Sequence, residues 1–187
     1  VINEQPSTPT APVTGSITHP TCSLATGSVV LNGLPSTGTW TLTRSPGGSA
    51  VTGTGTSRTI SGLPAGTYTY TVTNSSGCIS SSSSGVVINP QPPTPSAPVV
   101  GTITQPDCNN ATGTVVLSGL PSTGTWTLTR NPGGVTLTGT GTSRTITGLS
   151  AGTYTYTVTN ASGCISTVSA SIVITPQPIV PSAPVIG

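Results

Sequence analysis

The chain has 187 residues, among them 24 Gly and 19 Pro but no Met, Phe or Lys, and two acidic residues against four Arg give a formal charge of +2. Cations so sparse exclude a nucleic-acid or anionic-membrane surface, which needs clustered positive charge, and Glu4 and Asp107 stand too far apart in sequence to build an oxygen-ligand calcium cage. Solubility must therefore come from the Ser and Thr hydroxyls, and the regular alternation of apolar residues reads as order, not disorder.

In chain order, "VINEQPSTPTAPV" (1–13) precedes a first strand region that ends near Cys22. "GSVVLNG" (27–33) reads as a strand. "GLPSTGTW" (33–40) contains LPSTG, the form of a sortase signal, but such a signal needs a membrane-spanning apolar run after it, of about 20 residues. Here "TWTLTR" follows, so the pentapeptide is a turn in which Pro fixes φ and Gly accepts positive φ. "TGTWTLTR" (37–44) puts Trp40 and Leu42 on one face and Thr39, Thr41 and Thr43 on the other. After the turn "SPGG" come a strand "SRTISGL" (57–63), the turn "LPAG" and "GTYTYTVTN" (66–74), with Tyr68, Tyr70 and Val72 opposed to Thr. "GVVIN" (85–89) closes the set. Period-two alternation marks half-buried strands, and turns roughly 8–12 residues apart mark a small antiparallel sandwich. No helical periodicity occurs.

A shift of 86 residues superimposes the chain on itself. Cys22 falls on Cys108, Trp40 on Trp126, Arg44 on Arg130, Arg58 on Arg144, Tyr68 on Tyr154 and Cys78 on Cys164. The core of the second unit is then Trp126, Leu128, Tyr154, Tyr156 and Val158. The expected organisation is the end of a preceding repeat and linker at 1–10, a β-sandwich at 11–89, a Pro-rich linker at 90–96, a second β-sandwich at 97–175, and a linker with the start of a next repeat at 176–187. The ends fit the same period, so the chain reads as a piece of a longer array. Pro density in "NPQPPTPSAP" favours extended polyproline geometry, a stiff connector. The fold class expected is all-β: tandem Ig-like antiparallel β-sandwich repeats joined by Pro-rich linkers.

Cys22 and Cys78, like Cys108 and Cys164, are 56 residues apart. A bridge closing such a loop is worth about 4 kcal/mol, and so thin a core invites one. The expectation is one disulfide inside each unit and an oxidising, extracytoplasmic location. Zinc would need four ligands, and the only His, His19, is Gln105 in the second unit. No base repeats beside a cysteine to make it a nucleophile. No carboxylate pair, Ser–His arrangement or phosphate loop supports catalysis, so no enzyme and no cofactor are expected.

Trp40 and Trp126 could stack on sugar rings, but they share a strand face with Leu42 and Leu128 and read first as core. Arg44 and Arg130 share that face at the strand end, where each could lie over the indole as a cation–π pair. Arg44 with Arg58 could also receive an acidic glycan, or bond loop carbonyls at the rim. The Thr ladders resemble ice-ordering arrays, but they sit on twisted sandwiches with no shorter repeat nested inside. Asn74, Asn110 and Asn160 head Asn-x-Ser/Thr sequons.

The combination "GTWTLTR-x-PGG", "AGTYTYTVTN" and "SGC-x-S", followed by "INPQP" and a new "P-x-C", resembles the tandem repeats of SprB-like gliding adhesins of Bacteroidota. The most specific stretches are 62–78 and 148–164. The resemblance implies type IX secretion, display on the outer surface, and long filaments serving adhesion, gliding or surface capture. In related Ig-like turns the Tyr hydroxyl bonds back to the turn, a role carried to Tyr68 and Tyr154. The function expected is a structural stalk segment of a long extracellular adhesin or fibre, with neighbouring repeats of the same chain as partners and no membrane span. The alternatives are a carbohydrate-binding array taking cell-surface glycans through Trp40, Arg44, Trp126 and Arg130, and a subunit of a laterally packed filament with contacts such as Val30, Val87 and Ile179.

Overall fold

Each alternating segment can bury only one face, so it needs a second sheet to cover that face. A computed structural model of the protein describes residues 5–180. The chain forms two compact units, Val1–Pro92 and Pro93–Gly187. The expected leading and trailing segments lie partly at 1–4 and 181–187, outside the described residues.

The first unit holds β1 (Val13–Thr18), β2 (Gly27–Asn32), β3 (Trp40–Ser45), β4 (Ala50–Gly53), β5 (Ser57–Leu63), β6 (Gly66–Thr73) and β7 (Val86–Ile88). One sheet runs β1-β2-β5 and the other β4-β3-β6-β7, all antiparallel. The second unit repeats this with β8 (Val99–Thr104), β9 (Gly113–Ser118), β10 (Trp126–Asn131), β11 (Thr136–Gly139), β12 (Ser143–Leu149), β13 (Gly152–Thr159) and β14 (Ile172–Ile174). Each unit is thus an Ig-like β-sandwich, and the all-β expectation holds. Among the described residues no helix is long and apolar enough to cross a membrane.

Strands β1 and β4 go beyond the alternation read from the sequence. Gly15 and a register shift between Thr14 and Ile17 interrupt β1, while β4 is Ala-Val-Thr-Gly and buries neither face fully. The LPSTG segment is the loop joining β2 to β3, with Gly38 at φ 71°, a conformation that costs a glycine nothing.

Strand direction gives each unit two poles. Strand β2 runs towards one pole, so its antiparallel neighbours β1 and β5 run away from it; β6 likewise runs towards it, and β3 and β7 away. The chain therefore enters at the pole holding Val13, Asn32, Trp40 and Thr73, here the leading pole. It leaves at the pole holding Thr18, Gly27, Leu63, Gly66 and Ile88, the trailing pole. Val29, Leu31, Trp40, Leu42, Leu63, Tyr70, Val72, Val86 and Ile88 fill the space between the sheets. Val115, Leu117, Trp126, Leu128, Leu149, Tyr156, Val158, Ile172 and Ile174 do so in the second unit. The outward face of the larger sheet is a hydroxyl ladder, in which Thr41 faces Thr52 and Thr73 across the strands, and Thr43 faces Thr71.

Candidate functional site

The residues singled out in the sequence separate into an aromatic box inside each sandwich and two cysteine loops at its poles. In the box, Trp40 and Trp126 are each 1% exposed. Their indole Nε1 groups donate to the carbonyls of Gly55 (2.8 Å) and Gly141 (2.7 Å). Trp40 lies opposite Gly53 in register, and a methyl group there would come within 2.5 Å of the ring. These indoles therefore have no free face for a sugar ring, and the stacking platform considered from sequence is absent. Leu42, Tyr68, Tyr70 and Val72 are buried with Trp40; Leu128, Tyr156 and Val158 match them, while Tyr154 is half-buried.

The Arg44 guanidinium lies 5.2 Å from the centroid of the Tyr68 ring, and Arg130 sits at the same distance over Tyr154. The partner is Tyr, not the Trp considered from sequence. Four residues along one strand separate Arg44 from Trp40 by about 13 Å, whereas Tyr68 is on the paired strand, two residues from Arg44's partner Tyr70. Arg44 also donates to Ser49 Oγ at 3.2 Å. The hydroxyls of Tyr68 and Tyr154 donate to the carbonyls of Pro64 (2.9 Å) and Ser150 (3.0 Å), closing the turn before each strand. Burial raises the pKa of Tyr70 and of Tyr156, opposed by the nearby Arg44 and Arg130 cations respectively. Tyr70 Oη and Arg44 Nε are buried without a hydrogen-bond partner.

Four serines missed in the sequence carry part of the ladder. Ser80 and Ser83 are each 7% exposed. Their Oγ atoms accept the backbone N–H of Val72 (2.9 Å) and Tyr70 (3.0 Å) while donating to the Ser81 and Ser84 carbonyls. Ser166 and Ser169 do the same for Val158 and Tyr156. Side chains thus complete hydrogen bonds along β6 and β13 where the returning chain is irregular. The signal was legible: the run of five serines at 80–84 becomes "STVSA" at 166–170, with Ser kept only at the buried positions.

At the leading pole, Asn74 Oδ1 accepts from the backbone N–H of Ser76 (3.1 Å) and Cys78 (2.9 Å), and its Nδ2 donates to Ser7 O at 2.9 Å. Asn160 repeats all of this with Ser162, Cys164 and Pro93. Both sequon nitrogens are thus already engaged in fixing the incoming segment. Cys78 Sγ donates to Pro6 O at 3.7 Å. At the trailing pole, Gln91 Nε2 donates to the carbonyls of Thr21 and Cys22, both at 3.1 Å. Gln177 donates to those of Asp107 (3.0 Å) and Cys108 (3.3 Å). His19 Nδ1 accepts from Asn89 N, and Gln105 Oε1 accepts from Thr175 N. That shared acceptor explains why Gln stands for His in the second unit. Among the described residues no group of His, Cys, Asp or Glu is arranged to hold a metal.

Cys22 and Cys164 are each disulfide-bonded, whereas Cys78 and Cys108 are free thiols. The expected bridges inside each unit, Cys22 to Cys78 and Cys108 to Cys164, are therefore not formed. The reason is polar geometry. Cys22 lies in the loop between β1 and β2 at the trailing pole, and Cys78 beyond β6 at the leading pole. An eight-residue strand such as β6 sets these poles about 27 Å apart, while a disulfide needs Cα atoms within about 7 Å.

No protein-family model and no curated protein matches the chain. Among solved structures it is similar to the FN1-FN3 domains of chicken CNTN1, at 14% identity and TM-score 0.39, covering 92% of this chain and 65% of that one. It is similar to the human OSCAR ligand-binding domain at 15% identity and TM-score 0.36, covering 90% and 100%. A biofilm-associated protein's BSP domain follows at 22% identity and TM-score 0.32, covering 89% of this chain and 29% of that one. Likenesses this loose decide neither family nor activity.

Proposed function

We propose that the chain is a stalk segment of a long extracellular adhesin or fibre of the SprB-like kind, carried to the outer cell surface by type IX secretion. The observation that supports this reading most is the polarity of each sandwich. The chain enters at one pole, leaves at the other, and is clamped at both, by Asn74 on Ser7 and by Gln91 on Thr21 and Cys22. Tension on the tails then runs along the strands through a hydrogen-bonded sandwich, and the Pro-rich connectors keep similar neighbours from mispairing while they fold. Cysteine oxidation agrees with an extracytoplasmic site. The buried indoles give a carbohydrate-binding array no stacking surface.

Lateral packing into a thicker filament keeps one observation in its favour. Val87 and Val173 are 51% and 53% exposed on the edge strands β7 and β14. Electron microscopy of native material sheared from cells without reduction separates the two readings. Single beaded threads, one bead per 86-residue unit, support the stalk. Fibres with several chains in cross-section move the function to the exposed edges, and compact particles refute both.

A further inference from the structure

The four cysteines are of two kinds. Cys22 and Cys108 sit in trailing-pole loops, whereas Cys78 and Cys164 follow the strands that end at leading poles. One of each kind is oxidised here and one of each kind is free. The oxidised members are also the more buried: Cys164 is fully buried where Cys78 is half-buried, and Cys22 is half-buried where Cys108 is exposed. Local geometry does not cause the difference, because Asn74 and Asn160 hold the Cys78 and Cys164 backbones at the same 2.9 Å. The backbone around the free Cys78 is thus fixed in the same way as the backbone around the oxidised Cys164.

We propose that Cys78 and Cys108 are linking thiols, and that each forms a disulfide with the cysteine of the opposite kind in a further copy of the 86-residue unit. A partner inside the same unit is ruled out by the distance between poles. What selects the opposite kind is a glutamine that recurs with the period. Gln91 and Gln177 each grip the carbonyl of a trailing-pole cysteine, and the same shift places Gln5 on Gln91. Gln5 directly precedes Pro6, whose carbonyl receives the Cys78 thiol. A unit docked through Gln5 thus brings its trailing-pole cysteine loop to the chain segment that lies against Cys78 Sγ. The inference goes beyond the stalk reading and does not depend on what the thread attaches to.

The chemistry is thiol–disulfide exchange. A small disulfide of the glutathione class is attacked by the Cys108 thiolate and releases one reduced thiol. The Cys78 thiolate of another copy then attacks the mixed disulfide and releases the second. One S–S bond forms between copies, two protons are lost, and two electrons pass to the oxidant.

The test is oxidation of the 187-residue chain in a glutathione redox buffer, followed by non-reducing electrophoresis and thiol titration. The expected result is a ladder of multimers, abolished by reductant. Cys78→Ser alone and Cys108→Ser alone should remain monomeric, while their mixture should give a dimer. A dimer of either variant by itself means like pairs with like and overturns the proposal, as does a monomer whose two free thiols close on each other. A chain lengthened by one further unit distinguishes a neighbour in the same polypeptide from a second molecule. It has six cysteines, and a bond between Cys108 and the added unit leaves two of them free. Four free thiols, together with no ladder from the shorter chain, would refute it.

Discussion

Replacing Ser83 by Ala removes a side chain that stands in for a missing strand neighbour. Two hydrogen bonds disappear, from Tyr70 N and to Ser84 O. They are not equal losses. Ser84 is exposed, so its carbonyl finds water, whereas Tyr70 is buried and its N–H is left without an acceptor. An unsatisfied buried donor costs about 1–3 kcal/mol, so about 2 kcal/mol is expected. For a domain of this size each kcal/mol moves Tm by roughly 4–8 °C, which makes the shift about 8–16 °C. Calorimetry under reducing conditions is the assay, because the substitution touches one unit only. The heat absorbed by the first unit should move down while that of the second stays in place. Ser82→Ala, at an exposed position that is Val168 in the second unit, is the matched control and should shift Tm by less than about 2 °C. Equal shifts for the two variants would show that the buried Oγ is not completing the ladder, and the reasoning would fail.

Gly53→Ala should destabilise the first unit by about 1–3 kcal/mol through overpacking, because the new methyl would lie 2.5 Å from the Trp40 ring; an unchanged urea midpoint followed by Trp fluorescence would contradict the box. Tyr70 and Tyr156 ionise above their usual 10.0 in the folded chain because burial disfavours the phenolate. The unfolded chain thus loses its protons first, and their stability contribution should be full below about pH 10 and be lost as pH rises through the folded values. Tyr70→Phe with Tyr156→Phe should flatten that alkaline decline, and a decline of unchanged slope would remove these two hydroxyls as its source. Asp107 ionises below its usual 3.8, held down first by the backbone N–H of Asn109 and then by that of Asn110. Its contribution should be present above pH 3.8 and disappear as pH falls through the folded value, with Asp107→Ala abolishing that step in an NMR titration.

The faces of the long strands were legible because alternation in "TGTWTLTR" and "GTYTYTVTN" is a local property, set by the backbone pleat. The roles of Tyr68 and Tyr154 came from the resemblance, not from spacing. Strand β4 was hidden because a Gly beneath Trp40 looks like a turn signal until its cross-strand neighbour is known. The cysteine pairing was misread for a more basic reason. A separation of 56 residues fixes the entropy of closing a loop, but it does not say on which end of a sandwich each residue falls. That depends on how many strands lie between them and in which direction each runs, which is a property of the whole topology. Arg44 was assigned to Trp40 by shared parity, yet parity fixes a face and not a distance along the strand. Ser80 and Ser83 were obscured by their identical neighbours, and only the second copy separates them.

The hydroxyl ladder on the outer sheet has a consequence for the medium in which such a protein can work. A coat of carboxylates and ammonium groups gathers counterions, and its repulsions and attractions contract as the screening length shortens from about 30 Å in dilute solution to about 3 Å in 1 M salt. Thr41, Thr43, Thr52, Thr71 and Thr73 meet water through dipoles alone. Their hydration is indifferent to ionic strength and, short of the tyrosine range, to acidity. A sheet faced in this way meets water alike in fresh water and in brine.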